Sequence, residues 1–319
     1  MTRPHDLAAL LAAGEQAAFH GAPAMAVAPL EQAVAAADSH GRPAEAMAAT
    51  WLLGVTFTAL GRYGAALAAL EPLAAVDAPM PPEQRLFASL ACSTLGTVHR
   101  QLGRLPEAHA ADLAALALTD GTGEAGFDAV LGLAADGVAA ERTDEARDQL
   151  DRAASLVADR ASRWWRQQVR LDWVRAEADL ARRAATRAAE HAAAAVTLAE
   201  HANAPGYVAQ GLLLLGLAQA MTSPADAVPS LRRAAALADG VGSLPLVWPS
   251  RGALASLLRE ADPGESSRCV TAARTAVRTI AEELPTTLRS SWLSRPDIAA
   301  LQVDGAEESR RAARLPRQT

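Results

Sequence analysis

The chain has 319 residues, half of them hydrophobic, only 4% aromatic, and a formal net charge of −6. Eighty residues are alanine, and all 30 basic residues are arginine because no lysine occurs. The missing lysine excludes phosphate loops of the G-x-x-x-x-G-K type, Schiff-base enzymes and pyridoxal-phosphate sites. Alanine costs least in a helix and contributes little to a sheet, so the composition favours an all-α fold. The cysteines, Cys92 and Cys269, are 177 positions apart without metal-like spacing, which argues against a disulfide framework. The most apolar run, 211–220, is shorter than the ~18 residues a membrane span needs. With no basic-then-apolar leader either, the expectation is a soluble cytoplasmic protein.

Read in chain order, the sequence repeats. Small-residue pairs seven apart occur at Gly14 and Gly21, Gly54 and Gly61, Gly96 and Gly103, and Gly216 and Ser223. The first member lies in an apolar run. The second precedes a helix-start signal, clearest at Ser223-Pro224-Ala225-Asp226, where serine is read as the N-cap. An i, i+4, i+7 stripe follows each turn. It runs through Ala26, Leu30 and Ala33, then Ala66, Leu70 and Leu73, with Ala108, Asp112 and Ala115 placing an acid in the middle. It returns at Ala146, Leu150 and Ala153, at Ala188, Ala192 and Ala195, at Ala227, Leu231 and Ala234, and at Ser266 with Ala273. The first members advance by 38 to 42 positions, so seven helix pairs fit the chain. A single hairpin of that length cannot bury its own face, and neighbours must stack. The reading gives one solenoid domain over 1–303 and a charged, disordered tail over 304–319.

The pairs Leu53-Gly54, Leu95-Gly96 and Leu215-Gly216, the turn glycines and the Ala–apolar–Ala stripe resemble the tetratricopeptide repeat. Trp173 matches the leading Trp of the fifth unit, but Ala176-Glu177 replaces Leu-Gly there. The fourth unit keeps Leu131-Gly132 and lacks the turn glycine. The period near 40 resembles the longer-helix variety found in maltose-activator-type regulators. The stretch 204–301 looks like the C-terminal repeats of actinobacterial signalling ATPases and regulators, without their nucleotide-binding or DNA-binding modules. The resemblance implies a right-handed superhelix of about seven antiparallel hairpins whose concave face, lined by first helices, binds a partner. Carried onto the matching registers, the groove positions are Glu15 and Phe19, then Trp51, Val55 and Thr58, then Ser93, Thr97, Arg100 and Gln101, with Asp136 and Gln210.

Local motifs mostly carry structural readings. Gly121-Thr122-Gly123-Glu124-Ala125-Gly126 matches G-x-G-x-x-G, but it follows a helical pattern rather than a strand and reads as an inter-repeat loop. Seven histidines show no i, i+4 zinc spacing, and only His99, beside Arg100, stands near the groove. No G-x-S-x-G elbow occurs. In the segment 162–173, Trp165, Val169 and Trp173 read as the buried stripe of the fifth unit's first helix, leaving Trp164 for the groove. Between positions 141 and 190 eleven arginines are offset by ten acids, and the net charge is negative. Nucleic acid is therefore not expected as a partner, and neither is a membrane. The leading expectation is a non-enzymatic scaffold or regulatory sensor binding a protein or peptide segment, without metal or cofactor and with homo-oligomers open. The alternatives are a small-molecule module with its ligand inside the superhelix, or a biosynthetic enzyme with its site in that concavity.

Overall fold

A computed structural model describes residues 4–75, 80–158 and 164–302. The tail over 304–319 and positions 162 and 163 of the tryptophan-rich segment lie outside the described residues. Seven helix pairs follow one another. They are α1 (Pro4–His20) with a short 3₁₀ turn (Pro23–Ala26) and α2 (Val27–Ser39), α3 (Pro43–Leu60) with α4 (Tyr63–Ala74), and α5 (Pro82–Gln101) with α6 (Leu105–Ala117). Next come α7 (Gly123–Ala139) with α8 (Thr143–Val157), α9 (Trp165–Ala181) with α10 (Ala185–His201), α11 (Pro205–Ala220) with α12 (Pro224–Val241), and α13 (Leu244–Leu258) with α14 (Pro263–Glu282). A short helix, α15 (Thr286–Leu293), follows, and residues 296–302 are helical as well. The described residues contain helices and no strands, and the architecture is a TPR-like solenoid.

The repeat works through one contact. In the first, second and sixth pairs the central leucine of the second helix drops onto the glycine of the first: Leu30 on Gly14, Leu70 on Gly54 and Leu231 on Gly216. A Cβ at any of these glycines would overlap the leucine side chain. Glycine here allows close approach between helices. The alanines of the stripe are buried at every unit, while Leu73 is half-buried. Alanine at these positions keeps the helices tightly spaced.

Turns use the left-handed backbone region at the helix C-termini. Gly61 (φ 80°) and Gly103 (φ 74°) occupy it in the second and third pairs. The fourth and fifth pairs, which lack a turn glycine, force Glu141 (φ 57°) and Arg183 (φ 58°) into the same conformation. Gly121 and Gly123 also have positive φ, at the loop between α6 and α7, and no strand precedes them. One expectation is corrected. α12 starts at Pro224 as read, but the Ser223 side chain makes no capping hydrogen bond, whereas Asp262 accepts one from the Glu265 amide ahead of α14.

The two ends of the stack meet. Trp292 of α15 is fully buried, its ring edge-on to Tyr63 of α4 with centroids 5.8 Å apart, and its indole also faces Trp248 of α13. The Ser243 hydroxyl donates to the Ala59 carbonyl at 2.7 Å, and Ser291 to that of Leu102 at 3.4 Å. Arg295 donates to the carbonyl of Gln101. One continuous apolar cluster therefore holds residues from α1 to α5 and from α13 to α15. The superhelix closes on itself, and its concave groove becomes a cavity.

Candidate ligand-binding cavity

The cavity has a volume of about 640 Å³ and is lined from all seven first helices. Nine sequence-derived groove residues come together on its wall. α1 gives Phe19, α3 gives Trp51, Val55 and Thr58, α5 gives Ser93, Thr97, Arg100 and Gln101, and α11 gives Gln210. Three do not line it. Glu15 is exposed, one turn before Phe19, because only the C-terminal end of α1 reaches the cavity. Asp136 is buried behind Arg100 as an ion-pair partner. Trp164, just ahead of α9, packs edge-on against Phe127 with centroids 6.2 Å apart. His99 does not face the cavity, and burial lowers its pKa.

The fifth unit carries what the sequence registers missed. Arg166, Arg170, Trp173, Val174 and Glu177, at helical spacing, form the inner face of α9. Trp173 is thus a half-buried wall residue stacked on Tyr207 of α11 (5.0 Å), rather than part of a buried stripe. Trp165 is half-buried between His20 and Tyr207. Arg166 lies over the Phe19 ring at 4.7 Å and near that of Trp51 at 5.9 Å. The signal was present as Arg166, Arg170 and Glu177 on one helical face, but without a Leu-Gly pair the register had no anchor. Arg295 reaches the wall only because the solenoid closes.

The third unit departs from the repeat in a way that builds the polar wall. Where four of the other units place leucine, Asp112 enters between Gly96 of α5 and Gly132 of α7, and a Cβ on either glycine would overlap its carboxylate. Asp112 is fully buried. Arg100 bridges it at 2.5 Å to Asp136 at 2.7 Å, and also donates to the Gly132 carbonyl and the Thr97 hydroxyl. Burial pushes the Asp112 carboxyl up to about 7 against the pull of Arg100. Burial also opposes the charged guanidinium, but the two aspartates outweigh it and hold the Arg100 pKa above its usual value. Two carboxylates share one cation. Along α9, Arg170 pairs with Asp128 at 2.5 Å. Tyr207, Asp128 and Glu124 likewise outweigh burial and raise the Arg166 pKa.

A concave cavity walled by stacked hairpins defines a TPR-like repeat protein. No protein-family description matches the sequence, and no curated protein matches it either. Among solved structures, a Rap protein complexed with competence and sporulation factor is similar with a TM-score of 0.64 at 9% identity, over 95% of this chain and 89% of that one. Aspartyl phosphate phosphatase F from Bacillus subtilis gives 0.49 at 14% identity (97% and 85% covered), and yeast Tom70 gives 0.47 at 11% (97% and 66% covered). At such identities the likeness is one of fold. Among the described residues no helix is long and apolar enough to cross a membrane.

Proposed function

We propose that this protein is a non-enzymatic binding module, a scaffold or regulatory sensor that takes a short peptide or protein segment into its closed concave cavity. The observation that carries this reading is the convergence of seven first helices on one aromatic and arginine-bearing cavity. Rigid aromatic rings and arginine supply contact area and charge at a low cost in ordering, which is why they recur as binding anchors. Phe19, Trp51, Trp173 and Tyr207 would hold apolar side chains, and Arg166 with Gln210 would meet polar groups of the occupant. The Rap protein of similar fold was solved in complex with a factor, which supports a binding role. The same proposal has the chain act in the cytoplasm as a single repeat domain over 1–303, a reading supported by the likeness of its repeat pattern to those of actinobacterial regulators.

A second reading has one observation in its favour. The volume of about 640 Å³ lies within the range of small-molecule sites, so a compact ligand held inside the superhelix would fit as well. Selection of a synthetic library of short peptides on the full chain separates the two. The proposal expects retained peptides that compete with one another and lose binding in Trp51→Ala and Arg166→Ala. Retained peptides that bind both variants unchanged would place binding elsewhere and overturn it.

A further inference from the structure

Charges on the cavity wall are mostly satisfied by the protein itself. Arg100 spends its donors on Asp112, Asp136, the Gly132 carbonyl and Thr97. Arg170 is paired with Asp128, and Arg295 with Asp297 and the Gln101 carbonyl. Glu177 differs. It lines the cavity, is half-buried, and has neither a hydrogen bond nor an ion pair among the described residues. The cation that acts on it is Arg100, whose single charge is already shared by two buried carboxylates. A carboxylate held this way is costly unless something external pairs with it.

The surroundings say what that partner is. Trp173 lies one helical turn before Glu177 on the same face of α9, with Tyr207 stacked against it. An aromatic face beside an unpaired carboxylate favours an organic cation, whose hydrocarbon stem covers the rings while its N–H groups reach the oxygens. A lone carboxylate does not make a metal site. Building on the binding reading of the cavity, we infer that Glu177 anchors a cationic group of the occupant, an ammonium or a guanidinium. Arg166 lies eleven residues earlier on the same face, about 16 Å along the helix. The wall of α9 is therefore positive at one end and negative at the other, which orients the occupant. Burial pushes the Glu177 carboxyl up to about 7, against the attraction of Arg100.

Three small probes of nearly equal shape test this: 2-phenylethylamine, 2-phenylethanol and 3-phenylpropionate. Binding to the full chain is measured by tryptophan fluorescence and by the shift in Tm at saturation, with wild type and Glu177→Gln. The expected result is an amine bound about tenfold more tightly than the alcohol in wild type, with the acid weakest. In Glu177→Gln that preference falls to near unity while the alcohol is unaffected. The variant is expected to keep its helical circular dichroism and wild-type Tm or better, since it removes an unpaired buried charge. Equal binding of amine and alcohol to wild type, or an amine preference that survives Glu177→Gln, overturns the assignment and leaves the cavity as a binding site. Failure of all three probes to bind overturns the Glu177 assignment alone, the binding reading itself being decided by the peptide selection.

Discussion

Tyr63 and Trp292, 229 positions apart in sequence, pack edge to face across the junction where α15 meets the second hairpin. Both side chains are fully buried. This contact closes the ring that makes a groove into a cavity, while the Trp292 indole donates to the Val277 carbonyl of α14 at 3.4 Å and so fixes α15 on its neighbour. Trp292→Ala is expected to cost about 3–5 kcal/mol. Urea unfolding would measure it, and faster protease cleavage within 286–302 would show that α15 has come away from α4.

Glycine in a helix interior is ordinarily a weakness worth about 0.5–1 kcal/mol relative to alanine. At Gly54 the sign is reversed, because a Cβ there would overlap Leu70. Gly54→Ala is expected to destabilise by about 1–3 kcal/mol. Leu70→Ala alone is expected to cost about 2–5 kcal/mol by leaving a cavity. The double variant should be more stable than the sum of the two losses predicts, since the new methyl group enters the space the leucine has left. Strict additivity in denaturant midpoints would show that the pair does not touch as described.

In the third hairpin the same geometric slot holds Asp112, and the consequences are electrostatic. Removing Arg100 leaves buried Asp112 without its ion-pair partner and Asp136 with only His109, at 3.4 Å, so Arg100→Leu is expected to cost about 3–5 kcal/mol. Asp112→Asn leaves Arg100 still paired with Asp136 and is expected to cost far less. The pH dependence has a definite sign. Native Asp112 keeps its proton up to about pH 7, whereas in the unfolded chain it loses it near pH 4. Its contribution to stability therefore falls as pH rises from about 4 to 7 and is level above that. Asp112→Asn, which does not titrate, should gain in Tm relative to wild type between pH 5 and pH 8. A constant difference between the two proteins would contradict the elevated carboxyl.

Turns without glycine leave room for improvement. Arg183 and Glu141 sit at φ near 58° and 57°, where a side chain is strained. Either residue changed to glycine is expected to raise stability by up to about 1 kcal/mol, readable as a higher Tm. Arg183 makes the cleaner test, because its neighbour Arg182 supplies the cross-hairpin hydrogen bond to the Thr143 carbonyl.

How much of this was legible beforehand differs between fold and site. The repeat was, because it rests on a local rule: a small residue on one helix receives the middle residue of a stripe on the next. Leu30, Leu70 and Leu231 announce their own glycines through spacing alone. Phe19, Trp51 and Arg100 could be placed because their registers are tied to Leu-Gly pairs or a neighbouring turn. The wall of α9 could not, since Ala176-Glu177 stands where a Leu-Gly pair would have fixed the register. Nor could Arg295, which reaches the cavity through contacts between the two ends of the chain. Asp136 was misplaced for a further reason. A register chooses a helix face, but a long Arg100 side chain can cover a shorter neighbour and take its place at the surface.

The cavity itself is tested most directly by photo-cross-linking. A peptide retained in the library selection, carrying a benzophenone side chain, is irradiated with the full chain, and the linked residues are mapped by mass spectrometry. Cross-links confined to the inner faces of α3, α5, α9 and α11, and suppressed by excess unlabelled peptide, are the predicted result. Competable cross-links on the outer surfaces of α4, α6, α8 and α10, with none inside, would contradict it.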